Sequence, residues 1–447
     1  MQTDQLLAAA DILLTEARRL GADAADTVAH FGSAEGITVR LGVIEDIERS
    51  ETIEIGLRAF VGGASASVST SDLSRAGLSE LAERAVDMAK RAPEDPFAAL
   101  APVEALAHAP CPELDLLDPA SPSPEELRDR ARETEDAARA VSGVSNTEGG
   151  SASFTRASTI LATSTGFAGA YEGASHSLSA SVIAGEGSGM QRDYAARSAR
   201  HRADLLNPGE IGRLAGERAA GRLAPATPAV GPVPVVFDPR VSSSLIGHLL
   251  AAMAAPAIAR RASFLVGWEA AELFASDITI VEDPLRPRGL RSRPFDGEGV
   301  ACSPRKLVER GRIGGWLTNV ASAAQLGLPL TGHASRGIGG APGVAPSNVD
   351  LLAGNQTVEE LIADVREGVL VDYLIGQGVN LVTGNYSRGA AGRRIVNGRI
   401  EGPVAGFTVA GNLIEMFGAM RAANDLETWR AINAPTLRID GMTVAAA

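Results

Sequence analysis

The chain has 447 residues, of which 45% are hydrophobic, and its formal net charge is -13. This length and composition predict a folded protein of two or more structural units, and the acidic balance argues against a nucleic-acid partner, because phosphate binding normally uses a basic surface. With no segment of roughly 18 consecutive apolar residues, no basic secretory start and only two cysteines, we expect a cytoplasmic protein without a membrane partner.

The first predicted element is an amphipathic helix over residues 3–20, which ends at Gly21. A meander of strands follows it, and a helix over 73–91 completes an α-β-α unit that we assign to residues 1–110. The predicted strands of this meander are 26–31, 36–41, 44–51, 52–61 and 63–69.

A proline-rich segment over 92–124 marks the boundary to a central α/β unit, residues 111–226, packed with the first. Ser123 followed by Pro124 predicts the start of a charged helix, because this pair is typical of a helix N-terminus. The further predicted elements are strands at 151–155, 159–164 and 171–183 and a helix at 208–223.

The third unit, residues 227–447, is predicted to be rich in strands. An apolar helix over 241–255 carries His248, two strands flank Arg310, and a capped helix covers 357–366. The unit lacks the regular alternation of strand and helix that builds a parallel sheet. The sequence therefore predicts an α+β fold.

The most distinctive stretch, residues 376–416, is dense in Gly, Asn, Ser and Thr. Apolar residues alternate with small or polar ones over 379–383 and 407–410, which predicts strands. We expect tight turns between the strands, at Gly376-x-Gly378, Gly384-Asn385, Gly389 and Asn397-Gly398.

The sequence gives little support for a P-loop nucleotide site or for a serine nucleophile. Neither Lys90 nor Lys306 lies in a Gly-Lys-Ser/Thr motif, which excludes a P-loop. No Gly-x-Ser-x-Gly elbow occurs, and Ser303 with Lys306 matches Ser-x-x-Lys without any accompanying motif. A solvent-exposed strand edge or turn is the favoured interpretation of this pair, and a self-contained hydrolase is the alternative.

Metal chemistry on this chain also finds little support, because no two of the six histidines lie within five residues of each other. A zinc peptidase needs two neighbouring imidazoles, a third ligand and a carboxylate that activates water. We interpret His248 as a helix histidine packed at a core or interface, and Glu282 with Asp283 as a solvated acidic pair.

The C-terminal signature also resembles a known family. TGNYSRGAAG, from Thr383 to Gly392, followed by AGNL, from Ala410 to Leu413, is similar to the signature of the PmbA/TldE branch of the TldD/PmbA family, also called gyrase modulators. GLRAFV, from Gly56 to Val61, adds a weaker similarity to the family's N-terminal strand. The resemblance covers nearly the whole chain.

The resemblance implies that this chain holds no metal. In the TldD branch, an HExxxH helix and a cysteine near the signature bind zinc. Aligning His248 with the first histidine of that motif places Leu249 and Met253 at the glutamate and the second histidine. In the alternative alignment, His248 takes the glutamate position and Ala252 the second histidine. No cysteine lies within 376–412, so the resemblance implies no catalytic residue and no cofactor in this chain.

By the same resemblance, the chain pairs with a TldD-type HExxxH homologue that carries the zinc, and the heterodimer processes or degrades peptides. This chain would shape the substrate channel, and a homodimer in isolation is compatible with that role. The alternatives are a self-contained homodimeric hydrolase and a peptide-binding module without a peptidase partner.

The polar run Asn385 to Arg388 lies between two glycines and is predicted to be a loop that faces the partner or the shared channel, because four such residues are costly to bury. The arginine either clamps a carboxylate or carbonyl of a peptide, or ties neighbouring loops together. The candidates for facing substrate or partner are Asn385, Tyr386, Ser387, Arg388, His248 and Asn412.

Overall fold

A computed structural model describes residues 2–108 and 110–446, with side chains from Thr3 onward. Its helices are α1 Gln2–Arg19, α2 Arg75–Ala89, α3 Pro124–Arg139, α4 Pro208–Ala220, α5 Pro239–Ala252, α6 Ala255–Ala259, α7 Val320–Leu326, α8 Val358–Ile362 and α9 Leu413–Gly418. Its strands are β1 Ala24–Arg40, β2 Val43–Val61, β3 Ala64–Thr70, β4 Val144–Thr163, β5 Ala168–Ala184, β6 Gln191–Ala199, β7 Gly231–Phe237, β8 Ile280–Glu282, β9 Arg305–Glu309, β10 Arg312–Ile313, β11 Ala334–Ser335, β12 Gly343–Val344, β13 Val349–Leu351, β14 Glu367–Ile375, β15 Asn385–Val396, β16 Arg399–Asn412, β17 Met420–Ala422, β18 Ile432–Asn433 and β19 Leu437–Ala446.

The predicted α+β class is confirmed: a meander of strands with helices comes first, and a larger, strand-rich part follows. The helices begin where short-range signals place them. Ser123 caps α3 and forms a capping box with Glu126, and Asn207 forms the same arrangement with Glu210 at α4. Each box satisfies main-chain groups that the first helical turn leaves without partners.

The N-terminal sheet has six antiparallel strands in the order β3-β2-β1-β4-β5-β6. The prediction of five short strands in the first meander was wrong, because β1, β2 and β3 run without those breaks. The chain reverses between β1 and β2 at Leu41 and Gly42, which both have positive φ. Long pairing with β4 keeps β1 extended through residues 32–35, where the prediction had a break. β6 was not predicted.

The helices α1 to α4 cover one face of this sheet. Residues 25 and 29 of β1 pack in the core that contains α1 and α2, and residues 37 and 39 pack in the core that contains α3 and α4. Odd-numbered residues of a strand share a face, so both cores lie on the same side. On the opposite face, Val28 packs against Phe295 from the C-terminal half.

The C-terminal half contains a second six-stranded sheet, in the order β16-β15-β14-β7-β19-β17. An additional pairing of β16 with β19 closes five of these strands into a barrel-like ring. The largest core lies on one face of this sheet and includes α5, whose first turn is capped by Asp238. In the described ranges, no helix is long and apolar enough to cross a membrane.

A smaller five-stranded sheet, β10-β9-β8-β13-β18, packs beside the barrel-like ring. One residue of this sheet shows that a prediction was wrong. Glu282, interpreted as solvated, is only 2% exposed. Its carboxylate lies 2.6 Å from His333 Nε2 and accepts hydrogen bonds from the main chain and hydroxyl of Ser347. The neighbouring acidic residue in the sequence suggested a surface pair, but the pairing of β8 with two other strands turns Glu282 inward.

Candidate functional site

The segment before β15 is a loop, so the strand predicted over 379–383 was wrong. The loop lies across the start of β15: Ser387 N donates to Gly378 O at 2.7 Å, and Asn380 N donates to Asn385 O at 2.9 Å. Gly378 permits this approach, because a Cβ there would lie 1.8 Å from Ser387 O. The predicted turn at Gly389 was also wrong, since Gly389 lies within β15.

The four polar residues Asn385 to Arg388 form the first part of β15, and the prediction of a loop was wrong. Strand alternation sends them to two faces. Asn385 and Ser387 are exposed, whereas Tyr386 is 1% exposed and Arg388 is half-buried on the same face. Tyr386 is buried because its ring supplies a large apolar area to the core.

The structure brings His248 of α5 to the same place. Its ring centroid lies 6.2 Å from that of Tyr386, with an interplanar angle of 69°. Burial, followed by the charge of Arg388, lowers the pKa of His248 below its ordinary value of 6.5. The imidazole is therefore neutral at neutral pH. Burial also raises the pKa of Tyr386, and Arg388 opposes that rise.

Each of these three side chains has one buried polar atom without a hydrogen-bond partner among the described residues: His248 Nε2, Tyr386 Oη and Arg388 Nε. A buried polar atom without a partner is costly, so a water molecule, a ligand or another chain is expected to supply the missing contact. We call His248, Tyr386 and Arg388 the His-Tyr-Arg group.

Asn412 lies beside this group and has a local structural role. Its Oδ1 accepts from Ile414 N and so caps α9, and its Nδ2 donates to Thr383 O at 3.0 Å and to Asn385 Oδ1 at 3.3 Å. These contacts fasten the loop before β15 to the start of α9. Asn412 therefore holds the loop that runs beside the start of β15, the strand that carries Tyr386 and Arg388.

The His-Tyr-Arg group does not fit a zinc ion. A tetrahedral zinc site needs three or four imidazole, thiolate or carboxylate ligands, and only one of the three side chains here is such a ligand. The Arg388 guanidinium would also repel a cation. In residues 2–108 and 110–446, no three His, Cys, Asp or Glu side chains are close enough to hold a metal.

The other nucleophile and thiol candidates lie in unsuitable surroundings. Ser303 and Lys306 are exposed, and the Lys306 ammonium pairs with Glu309. Cys302 is buried, and burial raises the pKa of its thiol to about 12. A thiol with that pKa is protonated at neutral pH and is therefore a poor nucleophile.

Sequence reasoning missed a buried charge cluster between the two halves of the protein. Asp26 of β1 pairs with Arg58 of β2 and with Arg336 of the C-terminal half, and Arg58 also lies 3.5 Å from Glu298. All four side chains are nearly inaccessible. One signal was available, since Arg58 interrupts the apolar strand residues 57–61 inside the GLRAFV motif.

Similarity to known proteins places this α+β chain among the peptidase-related proteins of one family. Domain 1, the central domain and the C-terminal domain of the PmbA/TldA metallopeptidases match residues 25–89, 117–223 and 230–446. Metalloprotease PmbA of Escherichia coli O157:H7 is 34% identical over 425 residues, which cover 95% of this chain and 92% of that protein. The chain therefore belongs to the PmbA/TldD family.

Two solved structures have the same fold. A putative modulator of DNA gyrase from Bacteroides thetaiotaomicron superposes with a TM-score of 0.92 at 25% identity, over 100% of both chains. TldE from Thermococcus kodakarensis superposes with a TM-score of 0.85 at 20% identity, over 98% of this chain and 100% of that one. The resemblance to the family inferred from the C-terminal signature is confirmed.

Proposed function

We propose that this chain is the non-metal subunit of a two-chain zinc peptidase and that it positions peptide substrate for a TldD-type partner. The observation that carries the proposal is the His-Tyr-Arg group, in which an arginine and a tyrosine accompany a single histidine on the apolar helix α5. We further propose that the zinc and the base that activates water come from the partner, and that the complex is cytoplasmic.

The comparisons support this proposal at the level of the family. The E. coli relative bears the name metalloprotease, which fits a role in proteolysis. The fold shared with a TldE protein is compatible with a subunit role. Of the three side chains in the His-Tyr-Arg group, only His248 is a usual zinc ligand, which is too few for the metal that such a reaction uses. This supports the proposal that the partner chain supplies the zinc.

The residues of this chain suit binding and orientation of a peptide. Arg388 offers a guanidinium next to the neutral imidazole of His248, and a guanidinium donates readily to a carbonyl or carboxylate oxygen. Two apolar side chains of this region are exposed, Ile375 at the end of β14 and Val382 in the loop before β15. A partner chain or an extended peptide at this surface would cover apolar area and satisfy buried donors together.

The proposal is tested with the purified chain, a purified TldD-type homologue, and their mixture. After incubation with zinc and removal of free metal, we expect less than about 0.1 zinc per copy of this chain. Cleavage of an unfolded polypeptide should require both chains and stop on addition of a chelator. Cleavage by this chain alone that resists the chelator would overturn the proposal.

A substitution at Arg388 tests the role of the His-Tyr-Arg group. Arg388→Ala should change the free energy of unfolding by about 1 kcal/mol or less, because the side chain is half-buried and forms no ion pair with a described carboxylate. It should weaken complex formation or cleavage by about tenfold. Arg393→Ala, at an exposed position of the same strand, is the matched control. Equal activity of the two variants would remove Arg388 from the proposed site.

A further inference from the structure

A cleft of about 360 Å³ lies between β6, the last strand of the N-terminal sheet, and the start of α5. Four arginines line it, and none of the described residues that line it is acidic. Such a cluster is unexpected in a chain with a net charge of -13. The lining arginines are Arg197, Arg218, Arg240 and Arg430.

Two of these arginines already have carboxylate partners. Asp193, which is fully buried, pairs with Arg240. Glu427 lies 3.6 Å from Arg197 and is itself largely exposed. The first pair is buried and holds the wall of the cleft, whereas the second is loose and open to solvent. An exposed pair of this kind contributes little and is easily exchanged for another anion.

Among the described residues, the other two arginines form hydrogen bonds only with main-chain oxygens. Arg218 Nη1 donates to Tyr194 O at 3.1 Å, and Arg430 Nη1 donates to Pro239 O at 2.6 Å. Neither forms an ion pair with a carboxylate in the part of the chain that the structure describes. Burial lowers the pKa of both side chains, and neighbouring arginines lower it further. The nearby carboxylate of Asp238 opposes this effect at both arginines, as does that of Asp193 at Arg218. Arginine nevertheless stays charged, so an anion placed between them would relieve this repulsion.

Trp429 makes the cluster rigid. The guanidinium carbon of Arg197 lies 3.4 Å from the centroid of its ring system, and that of Arg430 lies 4.1 Å from it. Stacking on an indole attracts a guanidinium and fixes its plane, so its N–H donors point outward along that plane. Less side-chain entropy is then lost when an anion binds.

The edge of β6 provides the other wall. Tyr194 O accepts from Arg218, so it points away from β5 and into the cleft. In an antiparallel strand, residues two apart direct their main-chain groups to the same side. Ala196 and Ser198, which also line the cleft, therefore present N–H and C=O groups to it. An edge strand with free main-chain groups can bind an extended peptide.

We propose that this cleft binds a carboxylate of an extended peptide, with Arg218 and Arg430 holding the carboxylate and the edge of β6 holding the peptide main chain. The carboxylate belongs either to the C-terminus or to an acidic side chain, which share the same chemistry. Naming a peptide as the ligand rests on the function proposed above. The cleft itself shares no lining residue with the His-Tyr-Arg group.

Titration calorimetry on the full chain, without any partner, tests the proposal. The probes are an alanine-rich hexapeptide with two glutamates and a free C-terminus, its C-terminal amide, its double glutamine version, the amide of that version, and inorganic phosphate. We expect the fully charged peptide to bind at least about tenfold more tightly than the uncharged one. The two intermediate peptides show which carboxylate is bound.

Arg218→Gln and Arg430→Gln should each weaken binding of the charged peptide by about tenfold. Arg213→Gln, on the same helix as Arg218 but exposed and paired with Glu217, is the control and should bind like the wild type. Thermal unfolding identifies any variant that does not fold. Because the two test positions lie on different segments, one folded variant of the two is sufficient.

Three results would overturn the proposal: no binding of the charged peptide, equal binding of the uncharged one or of phosphate, or unchanged binding in a folded Arg218 or Arg430 variant. The test is independent of the two-chain peptidase. Binding without any partner-dependent cleavage would refute the peptidase role and leave this site intact. Cleavage without binding at this cleft would refute only the site.

Discussion

Glu298 is a buried carboxyl group in the charge cluster between the two halves of the protein. It is 4% exposed, accepts a hydrogen bond from Val320 N at 2.8 Å, and lies 3.5 Å from Arg58. Burial raises its pKa from 4.5 to about 7, and Arg58 opposes this rise without cancelling it. Glu298 is therefore a carboxyl group of this fold that titrates near neutral pH.

Replacement of Glu298 by glutamine should remove a pH dependence of stability. Between pH 4.5 and about 7 the folded wild type binds a proton that the unfolded chain has released, so its free energy of unfolding falls as the pH rises. Across this window, the free energy of unfolding of Glu298→Gln should rise relative to that of the wild type by up to on the order of 3 kcal/mol. Urea unfolding of both proteins at several pH values measures the difference.

Glu309→Gln, at an exposed position, is the control for this titration. Its free energy of unfolding should stay within about 0.5 kcal/mol of the wild type throughout this window, because a surface ion pair contributes little to stability. If the difference in free energy of unfolding between wild type and Glu298→Gln did not change with pH over this window, Glu298 would be ionised throughout it in the folded protein.

Two substitutions of Tyr386 distinguish the contribution of its ring to stability from that of its hydroxyl. The hydroxyl has no hydrogen-bond partner among the described residues, so Tyr386→Phe should change the free energy of unfolding by about 1 kcal/mol or less. Tyr386→Ala should cost about 3–5 kcal/mol, because it leaves a cavity in the largest core. Chemical denaturation measures both. A loss above about 2 kcal/mol in Tyr386→Phe would mean that the hydroxyl is already bonded in the isolated chain.

At the scale of elements, close approach between β2 and the C-terminal half depends on a glycine. A Cβ on Gly56 would lie 1.7 Å from Ile338 O, which is far inside any tolerable contact. Gly56 pairs with Val28 of β1, and the Val28 side chain packs against Phe295. The absence of a side chain at position 56 lets the segment that carries Ile338 lie directly on the sheet.

Gly56→Ala should therefore destabilise the protein by about 1–3 kcal/mol or more, since main chain and not a flexible side chain must move. Gly36→Ala in β1 is the control, because its nearest neighbour would be Ser153 Cβ at 3.6 Å, an ordinary contact. Thermal unfolding of the two variants side by side measures the contrast. Equal melting temperatures would show that Ile338 and its segment do not rest on β2 in solution.

At the scale of the whole molecule, Asp26 joins the N-terminal sheet to the C-terminal half. It pairs with Arg58 in the same sheet and with Arg336, which lies 310 positions away in sequence. Burial lowers the pKa of Arg336, and Asp26 opposes this effect. Without the Asp26 carboxylate, the buried guanidinium groups of Arg58 and Arg336 would lose a negative charge that balances theirs. Losing this charge lowers the stability more than losing a surface ion pair does.

Asp26→Asn should lower the free energy of unfolding by about 3–5 kcal/mol, with most of the loss due to the uncompensated arginines. Asp87→Asn, in a solvent-exposed pair with Lys90, should be within about 0.5 kcal/mol of wild type. Calorimetric unfolding of both variants measures these changes. Wild-type stability of Asp26→Asn would mean that the two halves do not depend on this contact.

The sequence by itself determined the α+β class, the family and most helices. Helix starts such as Ser123 with Glu126 could be predicted because both partners of a capping box lie within four residues of each other. The signature around Tyr386 could be recognised for the same reason, as a continuous run of residues. These features depend on contacts between neighbours in the chain.

Only the tertiary structure decided which polar residues are buried and which of them meet. Tyr386 enters a core that includes residues of α5, and Glu282 turns inward where β8 pairs with β13; both contacts join segments distant in sequence. The length of β1 likewise depends on β4, more than one hundred residues further along the chain. His248 meets Arg388, and Arg218 shares a cleft with Arg430, through packing between separate elements. Local sequence patterns do not encode these contacts, because their free energy arises only when the whole chain has folded.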